Sequence, residues 1–151
     1  MKILFATDGA KQSDAAIDMM RHIALNDGDE IKIVSVVDMA VPMAIDIYGG
    51  YLPDSAELEK TARENASKLL ERTEQRITEH FAGKKLLISS EVLFGSPESR
   101  IVETAEETHP DLIVLGSHGY SRWERLLLGS VSDSVVHHAP CSVLIVRSPS
   151  E

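Results

Sequence analysis

Three glycines and two serines in this chain are spaced so that a backbone could hold an anion. Gly116, Gly119 and Gly129 follow an unbroken apolar run, Leu112-Ile113-Val114-Leu115. Ser130 and Ser132 then enter a helical pattern marked by Val131, Val135 and Val136. Strand, glycine loop and helix start, in that order, present unsatisfied N–H groups to a ligand. The positive end of the helix dipole adds roughly half an elementary charge, which favours a phosphate. The spacing is neither of the common fingerprints. Gly116-Ser117-His118-Gly119 lacks the order G-x-G-x-x-G, and no lysine follows Gly129 to make a Walker A loop. A second group with chemical potential is Asp8, which ends the first apolar strand.

The elements that must position these residues are legible from hydrophobic period. Lys2 to Thr7 is a short strand, and Ile31 to Val37 a second one rich in β-branched residues. Between them Ser13 is expected to cap a helix with apolar positions Ala16, Met19, Met20, Ile23 and Ala24. Met39 to Pro53 has no clean period and holds Pro42, Gly49, Gly50 and Pro53, which suggests a long loop. Asp54 to Phe81 reads as one amphipathic helix with the stripe Leu58, Ala62, Ala66, Leu69, Thr73 and Ile77, ended by Gly83. Leu86 to Phe94 is a third strand. Ser96-Pro97-Glu98 is a helix start whose helix turns Ile101, Val102 and Ala105 inward and stops before His109-Pro110. After the glycine stretch, Ser142 to Val146 is a fifth strand.

The alternation β-α-β-α-β-α-β-α-β, with largely apolar strands, predicts a parallel sheet with helices on both faces. Ligands of such folds sit beyond the carboxyl ends of the strands, where strand order reverses. If the first and fourth strands are neighbours, Asp8 and Gly116 face one crevice.

Composition narrows the function. The chain has 151 residues, enough for one domain, with 43% hydrophobic and 26% charged residues. Its net charge of −9 argues against a general nucleic-acid surface, which needs Lys and Arg to neutralise phosphates. A single nucleotide feels only the local field, and Lys11, Arg122 and Arg125 lie near the loops of interest. No apolar run approaches the roughly eighteen residues of a membrane span, and the N-terminus meets a charge too early for a signal peptide. The lone cysteine, Cys141, forms no internal disulfide. The expectation is a cytoplasmic protein without membrane or nucleic-acid partners.

Gly116, two residues, Gly119, nine residues, Gly129 and then Ser130 resemble the G-2x-G-9x-G-(S/T) signature of the universal stress protein family. The resemblance extends to Thr7-Asp8-Gly9, to Ser35-Val36-Val37-Asp38 and to the close Pro140-Cys141-Ser142-Val143-Leu144-Ile145-Val146. It implies a three-layer α/β/α sandwich with a five-stranded parallel sheet, Rossmann-like and of the adenine nucleotide alpha-hydrolase-like kind. It also implies ATP (or ADP or AMP) as ligand, with Mg²⁺ or Mn²⁺ on the phosphates. By position, Ala6, Thr7 and Asp8 would line the nucleoside, Asp8 accepting from ribose hydroxyls, and Val36 would touch adenine. Leu115, Gly116, Ser117, His118 and Gly119 would border the ribose and phosphates. The N–H groups of Gly129, Ser130, Val131 and Ser132, with the two serine hydroxyls, would hold the phosphates. Ala10 departs from the serine that many relatives carry. The resemblance further implies a homodimer through Ser142–Val146, a strand that would invite pairing if it lies at a sheet edge.

Other candidates have plainer readings. Asp8 could simply cap the next helix. His118 fits an exposed loop, and Trp123 fits loop packing better than adenine stacking. His137 and His138 sit at a helix end, without the cysteines or spaced acids of a metal site. Three functions follow: a nucleotide-dependent regulatory module of stress response, a slow ATPase or autophosphorylating protein, or a nucleotide-free interaction protein. The regulatory protein partner is not specified by the sequence. No residue demands a catalytic role.

Overall fold

The five apolar segments form strands β1 (Lys2–Ala6), β2 (Glu30–Val37), β3 (Leu87–Phe94), β4 (Leu112–Gly116) and β5 (Ser142–Val146). Helices α1 (Lys11–Met20), α2 (Ser55–His80), α3 (Pro97–Thr108) and α4 (Ser130–His138) alternate with them. The structure, a computed structural model, describes residues 1–38, 55–117 and 128–147. The expected loop from Met39 to Pro53 lies outside the described residues, as do His118, Gly119, Arg122, Trp123, Glu124 and Arg125.

All strand pairs are parallel, in the order β3-β2-β1-β4-β5. The order reverses between β1 and β4, where Ala6 pairs in register with Leu115. The condition for a shared crevice is therefore met. Side chains alternate across each strand, so Ile3, Phe5, Ile31 and Ile33 meet α1 and α2, while Leu4, Ala6, Val34 and Leu115 meet α3 and α4. Two apolar layers thus enclose the sheet. No helix of the described residues is long and apolar enough to cross a membrane.

Several local expectations are corrected by packing. Ser13 does not cap α1: the helix begins at Lys11 with Ala10 as its N-cap, and Ser13 is buried within the first turn. That helix ends at Met20, short of Ile23 and Ala24, and Met19 is exposed where Ile17 is buried. On α2, Leu58 is 55% exposed while Leu70 is buried, because the helix meets the sheet only along its later turns. Ser96 holds the N-cap position of α3, but its hydroxyl makes no capping bond. The end of α3 matches expectation, with His109 left-handed at φ 49°. The edge strand β3 departs from an apolar run, since Ser89, Ser90 and Glu91 are exposed.

Candidate functional site

The carboxyl end of β1 turns sharply into α1. Gly9 takes φ 79°, a left-handed conformation that suits glycine. Asp8 fixes this turn: its Oδ1 accepts the Ala10 N–H at 2.9 Å and the Ser13 hydroxyl at 3.0 Å. Thr7 Oγ1 accepts the Gly9 N–H at 3.2 Å, and the Thr7 N–H reaches the Val34 carbonyl at 3.0 Å. The local role for Asp8 is thus real, but it uses one oxygen. Oδ2 makes no hydrogen bond among the described residues and remains an acceptor for a ligand hydroxyl.

Beyond β4 the chain returns to α4 through a set of backbone ties. The Ser117 N–H donates to the Val146 carbonyl at 2.8 Å, and the Ser117 carbonyl accepts the Gly129 N–H at 2.9 Å. Ser132, 1% exposed, places its hydroxyl 3.0 Å from the carbonyls of both Ser117 and Gly129. That hydroxyl has one hydrogen and donates it to the backbone. It thereby ties Ser117 to the start of α4. Ser130 is exposed at the helix start.

The N-cap of α4 is Gly129, which offers no capping side chain. Asp133 donates its N–H to the Gly129 carbonyl, the first intrahelical bond, at 2.9 Å. The N–H groups of Ser130, Val131 and Ser132 therefore precede the helical ladder and have no acceptor in it. Neither Gly116 nor Gly129 has positive φ, and Gly129 lies at φ −63° and ψ 154°. Any residue could adopt that backbone. A need for left-handed geometry does not explain these glycines.

Between these two ends lies a cavity of about 250 Å³. Of the expected site residues, it brings together Ala6, Thr7, Asp8, Val36, Leu115, Gly116, Gly129, Ser130, Val131 and Ser132. Ser117 is 2% exposed and does not line it, serving as the anchor for the loop. Pro97 and Ile101 of α3 and Val34 of β2 complete the apolar side. These wall residues were not among the expected contacts. The inward stripe of α3 was legible, but that α3 roofs this particular crevice depends on tertiary packing.

The cavity lining therefore combines a carboxylate, apolar walls and the start of α4 with its open N–H groups. A polyol, an apolar planar ring and an anion would each find a complementary surface there. Cys141 plays no part in it. The thiol lies at the entry of β5, where burial pushes its pKa up and away from reactive thiolate. His137 and His138 place Nδ1 at 2.8 Å from the Asp133 and Ser134 carbonyls. Among the described residues no group of three or more His, Cys, Asp or Glu is placed to hold a metal.

Comparison with known proteins bears on the family and the fold. The family model for the universal stress protein family matches residues 1–147. A Staphylococcus aureus (strain USA300) protein bearing the universal stress protein name is 33% identical over 147 residues, covering 97% of this chain and 83% of the relative. The fold is shared with the universal stress protein UspA from Lactobacillus plantarum (TM-score 0.73, 24% identity, 97% of each chain). It is also shared with a universal stress protein solved in complex with cAMP (TM-score 0.65, 24% identity, 99% of this chain and 98% of that one). A family protein from Arabidopsis thaliana solved with AMP bound aligns as well (TM-score 0.68, 18% identity, 99% and 93%). Sequence signature, parallel five-stranded sheet and whole-length similarity lead to one assignment: this chain belongs to the universal stress protein family.

Proposed function

We propose that the chain binds an adenine nucleotide, ATP or its ADP or AMP form, in the cavity between β1 and β4, and works as a nucleotide-dependent regulatory module. The observation that carries this reading is the start of α4. Three N–H groups precede the helical ladder, behind a glycine cap whose backbone needs no glycine. A phosphate would satisfy those donors and meet the helix dipole. The free Oδ2 of Asp8 would accept from a ribose hydroxyl, and Val36, Pro97 and Ile101 offer apolar surface to adenine. Mg²⁺ or Mn²⁺ would arrive on the phosphates. Two structural neighbours solved with cAMP and AMP support an adenine ligand for this fold.

The same reading includes a homodimer through β5. This strand is a sheet edge, and its Val143, Leu144 and Ile145 are only half buried. The opposite edge, β3, is guarded by exposed Glu91 and two serines. The two edges thus differ in their readiness to pair.

Calorimetric titration of nucleotide-stripped protein with ATP and Mg²⁺ tests the site. Gly129→Val suits the backbone at φ −63° but puts a branched side chain where the phosphates approach. Binding by the wild type and none by the folded variant is the expected result. Equal affinity in the two proteins would move the phosphates elsewhere.

A further inference from the structure

The described residues line a second, open hollow, about 440 Å³, against the other face of the sheet. Ser35 of β2 lines it, whereas its neighbours Val34 and Val36 line the nucleotide cavity, so the sheet separates the two. The outer wall is a stripe of α2, with Asn65, Lys68, Leu69 and Arg72 at i, i+3, i+4 and i+7. Asp8 stands at the rim of both spaces. The volume falls in the range typical of small-molecule sites, roughly 300–1,000 Å³.

The stripe brings two cations to the hollow. Acids outnumber bases in the chain, 24 to 15. Lys2, Lys32, Arg63, Arg76 and Arg100 each have a carboxylate partner. Lys68 and Arg72 have none within ion-pair distance among the described residues; Arg21, Lys60, Lys84, Lys85 and Arg147 share that condition, but only Lys68 and Arg72 line the hollow. They are also one turn apart, a like-charge spacing that weakens a helix. Two unneutralised cations beside a hollow, in an acidic chain, suit an anion from outside.

We propose that this hollow is a second ligand site, for a small metabolite bearing an oxyanion, phosphate or carboxylate. Lys68 and Arg72 hold the anion with charge-assisted hydrogen bonds. The Asn65 amide and the buried Ser35 hydroxyl supply neutral donors, and Leu69 packs on the ligand's apolar part. Repulsion from the Asp8 carboxylate directs the anion toward α2. The proposal does not rest on nucleotide binding, since the sheet lies between the two spaces and the test contains no nucleotide.

The experiment is an amide NMR titration of ¹⁵N-labelled, nucleotide-stripped protein, once with pyrophosphate and once with citrate. Saturable shifts at Asn65, Lys68, Leu69 and Arg72 are expected with at least one probe, and the probe that acts identifies phosphate or carboxylate chemistry. K68Q/R72Q should weaken that binding by roughly tenfold or more. K84Q/K85Q, which removes the same charge elsewhere, should leave it unchanged. Linear shifts with both probes, or shifts confined to Gly129–Ser132, would overturn the site. Equal weakening by the two double variants would overturn it too, by reducing the effect to net charge.

Discussion

At the scale of single residues, the two oxygens of Asp8 differ in their surroundings, and the proposed site would use the second. Oδ1 holds the turn into α1 through Ala10 and Ser13, and Oδ2, which makes no hydrogen bond among the described residues, is the acceptor proposed for the ligand. Asp8→Ala removes both functions, so it should weaken nucleotide binding by about 1.5–3 kcal/mol, the range for hydrogen bonds to a charged group. It should also lower stability, because the Ala10 N–H and Ser13 hydroxyl lose their acceptor. Asp8→Asn keeps an acceptor oxygen for the turn but not the charge. It should restore much of the stability and little of the affinity, as read by urea denaturation and calorimetry on the same samples. Affinity returning with stability would mean that Asp8 acts on the ligand only through the turn. The type and position of Asp8 were legible in the sequence. Its division of labour was not, because Ser13 had been expected at the cap and lies instead in the first turn.

At the scale of elements, α2 shows how far a periodic pattern can be trusted. Its stripe was correct at Ala66, Thr73 and Ile77, where the helix crosses the sheet. It failed at Leu58, which extends past the strands into solvent. Ile77→Ala should therefore cost about 2–5 kcal/mol, and Leu58→Ala no more than about 0.5 kcal/mol, by chemical denaturation. Comparable losses would mean that Leu58 is covered in solution.

The end of α2 also carries a pH-dependent contact with the end of α1. The Arg21 guanidinium lies against the His80 ring, with Nη2 3.0 Å from Nδ1. Burial, and then the Arg21 charge, push the His80 pKa below its usual 6.5; Asp18 opposes this, and Arg76 adds a lesser push downward. The neutral ring is therefore favoured in the folded state. The unfolded chain takes up the proton first, so this contribution is complete above about 6.5 and is lost as the pH falls below it. Denaturation of the wild type and His80→Gln from pH 7.5 to 5 should show a steeper loss in the wild type. Parallel profiles would show that His80 does not contribute.

At the scale of the whole molecule, a β5-paired homodimer predicts a mass near twice 16.6 kDa by light scattering at micromolar concentration. Val143→Lys, a charge on the half-buried edge, should shift the protein toward monomer. A monomeric wild type would leave the fold untouched and remove the pairing. The sequence by itself determined the alternation of strands and helices, the glycine signature and the acid at the end of β1. Each of these is written in local period or spacing, with no need to know what lies opposite. Only the tertiary structure decided that β1 and β4 are neighbours, that α3 roofs the crevice, that the Ser132 hydroxyl ties backbone to backbone, and that Lys68 and Arg72 flank a second hollow. Those facts depend on contacts between residues far apart in the chain. Periodicity tells which face of an element is apolar, but which partner covers that face is settled only when the sheet orders its strands.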